Sequence, residues 1–101
     1  PEADVVIRNP THYAVALKYE QNDMKAPKVV AMGQDLLALR IIDVAEERDI
    51  PVVTNRTLAK ALYDSADLDE EIPLDHYQAV AEIIAYVYNL RNKNKNDRLR
   101  A

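Results

Sequence analysis

The sequence has no cysteine, no tryptophan and no phenylalanine, and only one glycine. Without cysteine there is no disulfide to staple the fold and no thiolate to hold a metal, which suits a reducing compartment. His12 and His76 are the only histidines, so a histidine-based metal cluster would need carboxylate help. The acidic stretch Asp67, Asp69, Glu70, Glu71 and Asp75 lacks the Asp-x-Asp-x-Asp-Gly pattern of a calcium loop and reads as a solvated loop. There is no Gly-rich phosphate loop and no Ser/His/Asp set, so a hydrolase acting on other molecules has little support and no cofactor is expected. Long apolar runs are missing too. The longest, Ile83 to Tyr88, falls far short of the roughly 18 residues that cross a bilayer. No signal peptide is visible, and a start at Pro1 reads as a fragment or processed product, with any membrane attachment outside this chain.

What is present fits one small domain: 101 residues, rich in aliphatic side chains, with six tyrosines as its whole aromatic content. The net charge of −4 hides an asymmetry. From Arg91 onward five basic residues face one acid, leaving the remainder strongly acidic. An acidic body argues against nucleic acid as the main partner, and the basic tail reads as a solvated helix end.

Along the chain, Asp4–Arg8 is rich in β-branched residues with apolar side chains on both faces, the mark of a buried strand. A second strand is predicted over His12–Tyr19, a third over Lys28–Met32 and a fourth over Ile50–Thr54. Gly33 punctuates the passage into a helix from about Gln34 to Arg48, where Leu37, Ile41, Val44 and Ala45 recur at helical spacing. Thr54 or Asn55 can cap a short helix through Leu58, Ala59, Leu62 and Tyr63. A long helix is predicted from about Asp75 to Arg91, with His76 a surface or capping residue near its start. The tail, 92–101, reads as flexible and frayed, apart from the domain over 1–91. The fold class is α/β: a sheet of about four strands surrounded by three to four helices. Lys28–Thr54 forms a β-α-β unit, which implies a right-handed crossover between parallel strands.

Asn9-Pro10-Thr11-His12 is the constellation with unusual chemical potential. Asparagine normally deamidates when the next backbone nitrogen attacks its side chain, and proline has no N–H for that. The reverse attack remains: the Asn9 side-chain nitrogen on Asn9's own carbonyl carbon, closing a succinimide and releasing Pro10 as a new N-terminus. The pre-proline position is restricted to extended geometry, which narrows the search for an attacking conformer. Thr11, third in the turn, favours type I over type II. His12 polarises the carbonyl, shuttles a proton or fixes the turn; the sequence leaves these three open. Asn-Pro alone is an ordinary turn dipeptide, so an interaction module in which it is only a turn stands as the competing reading.

The surroundings weigh against that alternative. NPTHYAVALKY, the Ala26-Pro27-Lys28-Val29-Val30-Ala31 run, Gly33, Ala38-Leu39-Arg40-Ile41, Ile50-Pro51-Val52-Val53, Leu58-Ala59-Lys60-Ala61-Leu62-Tyr63, Ile72-Pro73 and Ala79-Val80-Ala81-Glu82 resemble the C-terminal cytoplasmic domain of the FlhB/YscU/SpaS family of type III export-switch proteins. AVALKY is closer to the flagellar branch. The resemblance implies a domain on the cytoplasmic face of the bacterial inner membrane, following a transmembrane region, that cuts itself at Asn-Pro. By motif match Asn9 cyclises, Pro10 becomes the new N-terminus, and Thr11 and His12 support them. This is single-turnover autoproteolysis, not a turnover enzyme. The implied partners are other export-gate and export-apparatus proteins, rod- and hook-type substrates and a hook-length control protein. Met32 stands where lysine is common in the family, and Lys60 where arginine is common.

The last helix carries more apolar positions than one buried stripe needs. The loop from Glu20 to Lys28 is polar except for Met24, Ala26 and Pro27. Ala26 and Pro27 are therefore expected to form one wall of a shallow groove and the Ala81–Ile84 face the other, a docking site for short hydrophobic export substrates.

Overall fold

Both faces of the first strand are apolar in the sequence, and a computed structural model of the chain covers both. It describes residues 3–20 and 26–100, the stretch 92–100 as backbone; Met24 lies outside the described residues. The elements are β1 (Val5–Asn9), β2 (Tyr13–Lys18), β3 (Lys28–Gln34), α1 (Leu36–Glu47), β4 (Val52–Thr54), α2 (Arg56–Ser65), a 3-10 turn (Leu74–His76) and α3 (Tyr77–Arg100). One mixed sheet runs β3-β2-β1-β4, with β1 antiparallel to β2 and parallel to β4, and β2 antiparallel to β3. The expected β-α-β unit therefore joins strands that point the same way but lie on opposite edges of the sheet. On one face Val5, Ile7, Val15 and Leu17 pack against Leu58, Ala59 and Leu62 of α2 and Val80, Ile84 and Val87 of α3. On the other, Val6, Ala14 and Ala16 pack against Ala38, Ile42 and Ala45 of α1. Among the described residues no helix is long and apolar enough to cross a membrane.

The apolar residues that recur at helical spacing in α1 are not all on its buried face: Ala45 is buried, but Leu37 is exposed and Ile41 and Val44 are only half buried. The reason lies in the sheet: its α1-facing surface is built of Ala14, Ala16 and Val6, so the small faces of Ala38 and Ala45 can approach it closely. Gly33 also serves a different purpose from a helix start. It continues β3 opposite Ala14, and a Cβ placed on it would fall 2.8 Å from Leu37 Cδ2 and nearer still to Cγ. Gly33→Ala is expected to cost about 1–3 kcal/mol through overpacking. A urea titration of Gly33→Ala in the Leu37→Ala background should recover part of that loss, because the Cβ at position 37, 2.9 Å away, remains.

The chain enters α1 through Asp35, at φ 55° and ψ −117°. α2 starts as expected, with the Asn55 carboxamide oxygen accepting from the Leu58 N–H at 3.1 Å. The acidic loop is more than a solvated connection: its backbone pairs with the outer edge of β3. Glu70 C=O accepts from Val29 N–H at 2.9 Å, Asp69 N–H donates to Val29 C=O at 2.8 Å, and Ile72 N–H donates to Pro27 C=O at 2.9 Å. The start of that edge is thus closed to strand addition. Finally, α3 does not end near Arg91 but runs to Arg100; no Gly or Pro in that stretch stops it.

Candidate functional site

Asn9 is the last residue of β1, paired across the ladder with Tyr13, so Pro10, Thr11 and His12 form the hairpin loop between them. The His12 N–H donates to the Asn9 carbonyl oxygen at 2.9 Å, closing a four-residue turn. Among the described residues positive φ falls on Asp35, Asp49 and Asp69; Thr11 therefore does not take the conformation that a type II turn demands at its third position. The carbonyl that an internal nucleophile would attack carries a backbone hydrogen-bond donor aimed at its oxygen. Such a donor withdraws electron density from the carbon and stabilises negative charge on the oxygen.

The side chain of Asn9 is held from the other direction. Its Nδ2 donates to the Arg56 backbone carbonyl at 3.4 Å. Arg56 opens α2, and the junction before it is pinned to β1: Asn55 N–H donates to Arg8 C=O at 3.0 Å, and Arg8 Nε donates to Thr54 Oγ1 at 3.2 Å. The carboxamide is thus oriented by a helix start that two further bonds tie to its own strand.

His12 is clasped to the start of α1. Its carbonyl accepts from the Asp35 N–H at 2.8 Å, and its Nδ1 lies 3.4 Å from Asp35 Oδ1. This contact is consistent with the tautomer protonated at Nδ1. With the imidazole side chain 69% exposed, the pair adds little to stability; its effect is to aim the ring. A cleft of about 460 Å³ lies beside Asn9, lined by Arg56, Thr57, Lys60, Ala61 and Asp64, and gives water access to the carboxamide. On its wall the Lys60 ammonium contacts Asp64 Oδ2 at 2.6 Å and lies 5.6 Å from the centroid of Tyr13's ring. The hydrogen bond that Lys60 donates to Asp64, and then the charge of that carboxylate, hold the Lys60 pKa above the ordinary lysine value. Tyr13 packs on Tyr63, ring centroids 5.0 Å apart. His76 belongs elsewhere: its Nε2 meets Ser65 Oγ at 3.1 Å at the end of α2. Among the described residues no group of His, Asp and Glu could hold a metal.

Ala26, Pro27, Ala81 and Ile84 come together around a second cavity of about 320 Å³. Ala26, Pro27 and Ile84 are buried and Ala81 is exposed. Tyr19, Tyr77, Ala85 and Tyr88 complete the lining, and the sequence reading missed them. A signal was there: Tyr77, Ala81, Ile84, Ala85 and Tyr88 stand at i, i+4, i+7, i+8 and i+11, one stripe of a helix.

The model of the FlhB HrpN YscU SpaS family matches residues 1–87. The chain is 52% identical over 93 residues to the flagellar biosynthetic protein FlhB of Bacillus subtilis (strain 168), covering 92% of this chain and 26% of that protein. To FlhB of Escherichia coli (strain K12) it is 50% identical over 91 residues, 90% of this chain and 24% of the other. It thus spans about a quarter of the length of these relatives. Among solved structures, the cytoplasmic domain of FlhB from Shewanella putrefaciens superposes with a TM-score of 0.88 at 44% identity, covering 93% of this chain and 72% of that one. A C-terminal domain of EscU with an asparagine-to-aspartate substitution superposes at 0.82 and 35% identity, covering 84% and 90% respectively.

Proposed function

The chain belongs to the FlhB HrpN YscU SpaS family, and on that premise we propose that it is the cytoplasmic domain of a flagellar export component that cuts its own backbone between Asn9 and Pro10. The observation that carries this reading is the arrangement at Asn9: a donor on its carbonyl oxygen at 2.9 Å and an acceptor on its side-chain amide at 3.4 Å. Nδ2 attacks the Asn9 carbonyl carbon and loses a proton. The bond from that carbon to the Pro10 nitrogen breaks, and the nitrogen takes up a proton. Water reaching the site through the adjoining cleft then opens the succinimide. Holding nucleophile and carbonyl together supplies most of the acceleration, with the His12 N–H stabilising the oxyanion. Intact mass of the purified chain tests this: two masses support the cut, and one full-length mass after prolonged incubation refutes it.

The same domain docks early export substrates and takes part in the switch to late ones, alongside other export-gate proteins and the hook-length control protein. It works at the cytoplasmic face of the inner membrane, held by a transmembrane region outside this chain. Docking takes place in the groove between Ala26-Pro27 and α3. Its apolar floor and tyrosine rim suit a short hydrophobic peptide bound weakly and reversibly.

Ala81 is exposed, so Ala81→Asp leaves its carboxylate solvated when the groove is empty and buries it when a peptide docks. A penalty of about 1–3 kcal/mol corresponds to roughly 5- to 150-fold weaker binding. Calorimetric titration of an apolar substrate peptide should show that loss while the cut at Asn9 proceeds unchanged; unaltered affinity would remove the groove from the account. Ala26→Asp is a poorer probe, because Ala26 is 1% exposed and a carboxylate there is driven into the core.

A further inference from the structure

α1 buries its small residues and displays its large ones. Leu36 is 84% exposed and Leu37 52%, and Leu37, Ile41 and Val44 line a cavity of about 250 Å³ between α1 and the sheet, over Val6, Ala16 and Ala31. This cavity lies on the opposite face of the sheet from α3 and its groove. The charged residues lining it are Arg40 and Arg48, both exposed. Neither has an ion-pair partner among the described residues. Arg40 stands within α1 and Arg48 at its C-cap, eight residues on, so they lie about 12 Å from each other along the helix axis.

An apolar trough with two uncompensated guanidiniums along its length calls for a ligand with an apolar ridge and matching carboxylates. We propose that this groove docks an acidic amphipathic helix of a partner protein, with carboxylates spaced about two turns apart on Arg40 and Arg48 and leucine-sized side chains between them. A flat anionic membrane fits poorly. It would also meet Asp43, Glu46, Glu47 and Asp49, all exposed on the same helix and the turn after it, on a chain of net charge −4. A helix about 10 Å wide enters the trough alone. The chain's own acidic segment, with exposed Leu68 and Leu74, has the composition but not the form, because its backbone is engaged along β3.

The test uses the whole chain and a fluorescent helical peptide bearing glutamates at i and i+8 with leucines on the strip between, read by anisotropy. The acidic peptide should bind about tenfold more tightly than its glutamine counterpart and lose that advantage in high salt. The double variant Arg40→Glu/Arg48→Glu should weaken it about tenfold, the sum of two exposed pairs, and should prefer the same peptide with lysines in place of glutamates. Because both arginines are exposed, the variant should melt within a few degrees of wild type. If it does not, Arg40→Gln/Arg48→Gln reads the same loss without added repulsion. Equal binding of acidic and glutamine peptides, affinity indifferent to either double variant, binding of anionic phosphatidylglycerol vesicles without binding of the peptide, or self-association in sedimentation that the arginine variants abolish would each overturn the assignment.

Discussion

Wild-type protein held in neutral buffer is expected to accumulate as residues 1–9 and 10–101 with no protease added, while Asn9→Ala stays a single chain. The contrast is all-or-none because alanine removes the nucleophile and leaves the rest of the turn intact. Asn9→Asp should cut poorly, since a carboxylate at neutral pH is a weak attacker of an amide. His12→Ala separates two roles that one residue combines. The donor on the scissile carbonyl is the His12 backbone N–H, 2.9 Å from the Asn9 oxygen, and it survives the substitution. The variant is therefore expected to go on cutting: a rate loss within the roughly 10²–10⁴-fold range would mark the imidazole as a proton-transfer group, and an unchanged rate would leave it only fixing the turn. Mass spectrometry over a time course reads all three. Processing of Asn9→Ala at the wild-type rate would end the cyclisation mechanism.

The second large effect is one of retention. After the cut, residues 1–9 are a separate peptide, yet they are expected to coelute with residues 10–101 on gel filtration in native buffer and to part only in concentrated denaturant. β1 is an inner strand, bonded to β2 on one side and β4 on the other. Val5, Val6 and Ile7 are each at most 1% exposed, and each contributes about 1.5–3 kcal/mol on burial. Ile7→Ala, which opens a cavity against α2 and α3, should cost about 2–5 kcal/mol and release the peptide at lower denaturant. Loss of the peptide in native buffer would show that the cut dismantles the sheet.

How much of this was legible depended on where the information lies. Val5, Val6 and Ile7 announce a strand buried on both faces, because nothing else tolerates three β-branched residues in a row so readily. Asn55 announces a helix start by its own side chain. The buried stripe of α1 is not legible from spacing, because Leu37 and Ala38 both belong to helical repeats. What selects between them is the alanine-lined sheet opposite, which is a property of the pair. The pairing of Asp69, Glu70 and Ile72 with the edge of β3 is made by backbone atoms and leaves no trace in residue type. At the turn, asparagine before proline marks Asn9 to His12 as a place of unusual chemical potential, while the choice between an inert turn and a reactive one lies in the residues around it. Asp35 and Arg56 carry no such mark: one acts from a strained backbone position after β3, the other through its carbonyl, and neither is near Asn9 in sequence. The walls at Ala26-Pro27 and Ala81–Ile84 were visible as small residues beside larger ones, whereas the tyrosines passed for general apolar surface.

The order β3-β2-β1-β4 has a mechanical side. Consider tension drawing on the amino end of β1. With the Asn9–Pro10 bond intact, that load passes through the turn into the next strand and is carried covalently. With the bond broken, it is carried only by two hydrogen-bonded ladders and the side chains of one short strand. Those ladders are pulled along their length, so they share the force in shear until all give way together. The domain would then behave as a coupling rated to a set load, firm under thermal agitation and able to slip under a sustained pull. The rating would be written in the length of β1 and in the three residues of β4 that flank it.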